Sequence, residues 1–171
     1  LNQKAIHKPS AQHVLDDDYY KRIEAIQFTM SHDDGKKVDD IGNADVILLG
    51  VSRTSKTPTS IYLANRGYKT VNIPLVLDQK IPNDLTLNKK VCIIGLIADP
   101  ERLADIRRNR VAIMKDHNLK EYTDLDFIKK EVEDSKNLFK KNNWPMIDVT
   151  RRSVEETAAS ILKIIEIKKN K

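Results

Sequence analysis

The stretch GVSRTSKTPTS, Gly50 to Ser60, has the residue types and spacing to hold phosphates. A phosphate-binding loop of the form G-x-x-x-x-G-K-[ST] needs a glycine, four spacers, a second glycine, a lysine and a hydroxyl residue. Gly50, Lys56 and Thr57 meet three of these requirements, and Ser55 stands where the second glycine is expected. The backbone N–H groups of Val51, Ser52, Arg53, Thr54 and Ser55 could then turn inward toward phosphate oxygens. Lys56 would reach the outer phosphates, Thr57 would offer its hydroxyl to Mg²⁺, and Arg53 would add a cation. A serine reaches left-handed backbone only at some cost, but its hydroxyl could itself donate to a phosphate. A Ser/Thr-rich loop joining a strand to a helix is the plainer reading.

Other groups are candidates by type. Asp33 and Asp34 beside His32 could supply a base to a hydroxyl acceptor, although Asp-Asp-Gly also reads as a turn. Asp99 ends an apolar run, where a carboxylate can support Mg²⁺ or cap a helix. Asp148 lies within another short expected strand, Met146–Val149. Arg107 and Arg110 lie three apart and could close together on phosphates; a solvated helix face is the alternative. Cys92 lies inside an apolar run and reads as a buried strand cysteine. His13 has no interpretable spacing.

The elements needed to position the loop are present in the pattern. The run ADVILL before Gly50 reads as a buried strand, and Thr57 to Arg66 as a helix closed by Gly67. Further strands are expected at Val71–Ile73, Lys90–Ala98 and Met146–Val149, with a long connection from Pro74 to Lys90. Helices are expected from Asp16, over Pro100–Met114, over Asp124–Asn142, and from Ser153, where Ser-Val-Glu-Glu forms a capping box. On the first helix, Tyr19, Ile23, Ile26 and Met30 mark the apolar side. Alternating strands and helices predict an α/β fold, a P-loop-type, mainly parallel sheet flanked by helices. The expected organisation is a helical lead-in over 1–43, bearing the Asp-Asp-Gly turn, and a nucleotide-binding domain over 44–171.

The bulk numbers limit the function classes. The chain has 171 residues, a net charge of +5 and 40% apolar residues, which suits one domain with its own core. No apolar run is long enough to span a membrane. Basic residues are dispersed and aromatics make up only 5%, so no nucleic-acid partner is expected. A single cysteine fits a cytoplasmic location. There is no initiator Met and no secretory pattern, so a fragment or processed form is expected.

GVSRTSKTPTSIYLANRGYK, LDDDYYKRIEAI, HDDG, DPERLADIRRNR and NNWPMIDVTRRSVEETAA together resemble the bacterial pyruvate, phosphate dikinase regulatory proteins, the kinase–pyrophosphorylase family. The resemblance runs from about His13 to Ile165; a family N-terminal region precedes the start of this chain. It implies a bifunctional enzyme. One activity transfers the β-phosphoryl of ADP to a threonine of the dikinase, leaving AMP and inactivating the target. The other uses inorganic phosphate to remove that group as pyrophosphate. The resemblance makes Gly50 to Thr57 the ADP-binding loop, with Lys56, Asp33 and Asp34 as the catalytic candidates, and Thr57 with Asp99 or Asp148 as the Mg²⁺ candidates. The dikinase branch writes Ser-Lys-Thr where regulators of phosphoenolpyruvate synthase tend to write Gly-Lys-Thr, so Ser55 points to the dikinase. The segment Pro9-Ser10 departs from the family's Pro-Gly. An ATP-dependent small-molecule kinase, a non-catalytic nucleotide-binding module and homo-oligomer formation remain open at this stage.

Overall fold

A computed structural model describes residues 17–35, 40–77, 81, 85, 91–114 and 120–170. His13, the Pro9-Ser10 departure and most of the Pro74–Lys90 connection lie outside the described residues. Ten elements follow in chain order: α1 (Asp17–Ser31), β1 (Val46–Gly50), α2 (Lys56–Ala64), β2 (Thr70–Pro74), β3 (Cys92–Ile97), α3 (Pro100–Met114), the short turn of helix α4 (Lys120–Thr123), α5 (Leu125–Lys141), β4 (Met146–Asp148) and α6 (Val154–Lys169). Two 3₁₀ turns, Asp33–Gly35 and Ile41–Asn43, join α1 to β1.

The four strands form one all-parallel sheet in the order β2-β1-β3-β4, so the fold is α/β as expected. Val46 sits opposite Thr70 on one side and Cys92 on the other, and Ile97 opposite Asp148. Every residue of β1 is buried, which is why VILLG is continuously apolar rather than alternating. Val46, Leu48, Ile94 and Leu96 pack with Leu63 of α2 and with Ala158, Ile161 and Ile165 of α6. The alternate set, Ile47, Leu49, Val71, Ile73 and Ile93, packs with Ile41, Leu85 and Phe139 of α5. Gly95 makes room for Phe139: a Cβ there would lie 2.4 Å from the ring. Cys92 is buried in β3, and burial pushes its thiol up from the ordinary value.

Local chemistry sets the helix ends. After α2, Gly67 takes φ 86, Gly67 N–H bonds Ala64 O and Tyr68 N–H bonds Leu63 O, the paired bonds of a Schellman motif. Asp124 caps α5 by accepting from Phe127 N, and Ser153 with Glu156 forms the expected capping box on α6.

One apolar assignment needs correction. On α1, Tyr19, Ile23 and Met30 are exposed, and Ala25 and Thr29 are the buried residues. The reason lies in β2, an edge strand whose outward N–H groups need acceptors. Thr29 Oγ1 accepts from Thr70 N at 3.0 Å, and His32 O accepts from Asn72 N at 3.3 Å. Small and polar residues therefore face the sheet edge, and the larger apolar ones point away. On α3, Leu103 is buried but Met114 is 55% exposed.

Candidate functional site

The loop begins where β1 ends. A Cβ on Gly50 would lie 2.6 Å from Leu96 O and 2.7 Å from Thr54 Oγ1, so only glycine fits between the sheet and the loop. Thr54 is buried, and its hydroxyl donates to Val51 O at 2.9 Å, closing the loop on itself. Arg53 has φ 72 and Ser55 has φ 57. Ser55 thus adopts the left-handed backbone usually given to glycine, and it is the N-cap residue of α2 with no side-chain capping bond. Its exposed hydroxyl is left free of the helix. Pro58 falls in the first turn, where a helix needs no N–H donor from it.

Lys56 opens α2 and is 5% exposed, with Nζ donating to Val51 O at 2.9 Å and to Thr54 Oγ1 at 3.5 Å. The ammonium is folded over the loop. Burial lowers its pKa from 10.5 to about 8; Arg107 and Arg53 add to the lowering, while Asp34 and Asp33 oppose it. A nearby anion would favour the charged form of such a lysine.

Beside it, three side chains from three elements form a closed triangle. The Thr57 hydroxyl donates to Asp33 Oδ1 at 3.0 Å, Asn72 Nδ2 donates to the same Oδ1 at 2.7 Å, and Asn72 Nδ2 donates to Thr57 Oγ1 at 2.9 Å. Asp33 comes from the turn after α1, Thr57 from α2 and Asn72 from the middle of β2. Asp34 follows with φ 52 and ψ 36, a strained conformation for a residue other than glycine. Asp34 is exposed, and its charge acts on Lys56 more strongly than that of Asp33.

Behind the loop lies Arg107, fully buried. Its Nη1 donates to Glu131 Oε2 at 2.7 Å and to Tyr122 O at 3.2 Å, and Nη2 donates to Ser52 O at 3.2 Å. The guanidinium lies 4.7 Å from the Tyr122 ring centroid, and Tyr122 OH meets Ser52 Oγ at 3.0 Å. Arg110 is exposed. Arg107 and Arg110 therefore do not close together. Arg107 braces the back of the loop with a desolvated charge pair, a bond that i,i+3 spacing could not foretell.

Asp99 and Asp148 are placed elsewhere, at the C-terminal ends of β3 and β4, in an open cleft shared with Arg102, Thr150, Arg151 and Arg152. Asp99 Oδ1 accepts from Arg102 N at 2.9 Å, so it caps α3. Asp148 Oδ1 accepts from the amide and hydroxyl of Thr150. Its partial burial pushes its pKa up, but the Thr150 bonds and the charges of Arg152 and Lys136 outweigh this, and the carboxyl is held below its ordinary value. Thr57 has its carboxylate contact with Asp33 instead.

The donor set near Thr57 suits Mg²⁺. Among the described residues, no group of three or more His, Cys, Asp or Glu side chains could hold a metal. Mg²⁺ needs no such cage; it takes one or two protein oxygens and completes its shell with phosphates and water. The Thr57 hydroxyl and the Asp33 carboxylate supply such hard oxygens beside an N-terminal helix turn that favours anions.

Sequence reasoning missed Asn72, Glu131 and Tyr122. Asn72 had one visible signal, an amide inside a strand otherwise built for burial. Glu131 and Tyr122 had none, because their role depends on α4 and α5 folding back over the loop.

A family model described as kinase/pyrophosphorylase matches residues 1–162. A protein of Pelagibacter ubique named "Putative pyruvate, phosphate dikinase regulatory protein" is 63% identical over 99% of this chain. Proteins of the same name from Erythrobacter litoralis and a Chelativorans species are 51% and 49% identical, each over 96% of the chain. The chain spans 62%, 59% and 60% of the length of these three relatives. No described helix is long and apolar enough to cross a membrane. The loop after β1, the triangle beside it and the match along most of the sequence lead to one conclusion: this chain belongs to the kinase/pyrophosphorylase family.

Proposed function

We propose that this chain carries the nucleotide-binding part of a bifunctional, cytoplasmic regulator of pyruvate, phosphate dikinase. In one direction it is an ADP-dependent serine/threonine kinase that inactivates the dikinase. In the other it is a phosphorylase that uses inorganic phosphate to release the group as pyrophosphate. The target is carried over from the names of the relatives. The observation that supports the chemistry best is the pairing of buried Lys56 with the Thr57–Asp33 contact, both at the mouth of a loop that already holds left-handed residues at 53 and 55.

The loop amides of Val51 to Ser55, Arg53 and Lys56 hold the diphosphate. Thr57 and Asp33 offer oxygens to Mg²⁺, which when bound neutralises charge on the phosphates. Asp33 or Asp34 accepts the proton of the target hydroxyl as the phosphoryl group leaves. In the reverse direction the same donors hold inorganic phosphate, because both transition states spread negative charge over similar oxygens. Asp99 and Asp148, whose carboxylates are engaged in local bonds, are given no step in this reading.

The test incubates the protein with purified dikinase and ADP labelled on its β-phosphate. Label on a dikinase threonine is the expected result. Labelling from γ-labelled ATP but not from ADP would overturn the reading in favour of an ordinary ATP kinase. ADP binding with no transfer in either direction would leave only a nucleotide-binding module.

A further inference from the structure

Asn72 is 1% exposed, and its amide nitrogen lies within hydrogen-bond distance of both Asp33 Oδ1 and Thr57 Oγ1, facing the site. Its Oδ1 is buried with no hydrogen-bond partner. Flipping the amide would not help, since the carbonyl oxygen would then face the Asp33 carboxylate. An apolar residue would fill the same strand position without stranding an oxygen. The asymmetry, an amide nitrogen bonded toward the site and an orphaned oxygen, points to the donor end as the reason for the amide.

The bonds also fix what is left over. The single Thr57 proton goes to Asp33, Asn72 fills one lone pair of the hydroxyl, and the remaining lone pair is free for a cation. Asp33 Oδ1 already accepts two bonds, which ties Asp33 to Thr57 and away from an incoming hydroxyl. Among the described residues Asp34 has no such anchor; it is exposed on a left-handed backbone, and its charge acts on Lys56. Strain of this kind persists where surrounding structure imposes it, often at functional positions.

We infer that Asn72 is a positioning residue that locks Asp33 and Thr57 together as a divalent-cation-binding pair, which places Asp33 on the metal side of the site and Asp34 on the acceptor side. This rests on the nucleotide-binding reading of the loop. Partners that orient metal ligands in this way commonly change metal affinity by 10- to 100-fold when removed.

The experiment measures two affinities separately: ADP in the presence of a chelator, by calorimetry, and Mn²⁺ for the ADP complex, by electron paramagnetic resonance. Asn72→Ala is expected to weaken Mn²⁺ binding by about tenfold while chelator-condition ADP affinity stays within about twofold, a split that general damage to the loop would not give. Asp33→Asn should lose Mn²⁺ affinity similarly, and Asp34→Asn should keep it while losing phosphoryl transfer. If Asn72→Ala does not fold, Asn72→Ser is read by the same two measurements. Unchanged Mn²⁺ affinity in a folded Asn72 variant overturns the inference, as does an equal loss of ADP binding without metal. Loss of Mn²⁺ binding in Asp34→Asn overturns the division between the two aspartates. A wild-type protein that binds no ADP under either condition removes the loop reading itself, and this inference with it.

Discussion

The loop after β1 and the cleft at the ends of β3 and β4 are built differently. The loop after β1 is held by bonds between residues far apart in sequence: Asp33 to Thr57, Asn72 to Asp33, Arg107 to Ser52. Two of its cations, Lys56 and Arg107, are buried, while Arg53 is exposed. In the cleft at the ends of β3 and β4, Asp99 N–H does reach across to Thr150 Oγ1, but the aspartate carboxylates are satisfied locally. Asp99 caps its own helix, Asp148 bonds Thr150 two residues on, and the lining aspartates are exposed. Charge desolvated by distant parts of the chain is costly to arrange. It is the stronger sign of a built site than a larger number of charges facing water.

The sharpest way to break the contrast is to unpair the buried charge. Glu131→Ala leaves Arg107 buried without its carboxylate and is expected to cost about 3–5 kcal/mol of stability, whereas Arg151→Ala in the open cleft should stay within about 0.5 kcal/mol. Denaturant melts of the two variants compare them directly; equal losses would erase the distinction. Next in size is chemistry. Lys56→Ala is expected to reduce both phosphoryl transfer and phosphorolysis by about 10²- to 10³-fold, the usual loss for a positioned donor at a developing anion. Asp148→Ala should change either rate by less than about threefold, well under the factor of ten that corresponds to 1.36 kcal/mol in the barrier. Phosphorolysis surviving in Lys56→Ala would show that the two directions use separate sites.

These paired variants also separate what the sequence could and could not reveal. The loop was legible because its parts are contiguous: a strand, Gly50, Lys56, Thr57 and a helix fix one another locally. The parallel sheet followed from the alternation of apolar runs and periodic helices. Asn72, Glu131 and Tyr122 were not legible, because nothing near them in sequence states what they will touch. The same gap misdirected Arg107 and Arg110. Helical spacing placed them near one face, but α5 buries only the first. The outward apolar side of α1 has a similar origin, since the needs of the β2 edge overrode periodicity.

A smaller effect concerns pH. Burial places the Lys56 pKa at about 8, below the ordinary 10.5. In the free protein the burial penalty is therefore present below pH 8 and is relieved as pH rises from about 8 to 10.5, so stability increases across that window. Phosphate reverses the preference by favouring the charged lysine. ADP binding at pH 8 is expected to take up about half a proton at Lys56, and affinity should fall as pH rises further. Calorimetry in two buffers of different ionisation enthalpy reads the uptake; none at pH 8 would contradict the buried, near-neutral lysine.

The smallest expected change is at Ser55. Ser55→Gly removes the left-handed strain, worth about 1 kcal/mol, but loosens the unfolded chain by a comparable amount. Stability should shift by less than about 1 kcal/mol, a bound set by the near-cancellation of those two effects, and ADP affinity should remain within about twofold. A fivefold or greater loss of ADP affinity would instead assign the hydroxyl a direct bond to phosphate.

The triangle of Asp33, Thr57 and Asn72 also sets a schedule. A ribosome delivers Asp33 first, then Thr57, and Asn72 only as β2 emerges. Until β2 is in place, Asp33 lacks its Asn72 partner. Loop closure over such separations slows assembly. The Asp33–Thr57–Asn72 corner has all its residues once β2 is made, whereas Leu96, Arg107 and Glu131, which back the loop after β1, emerge only later.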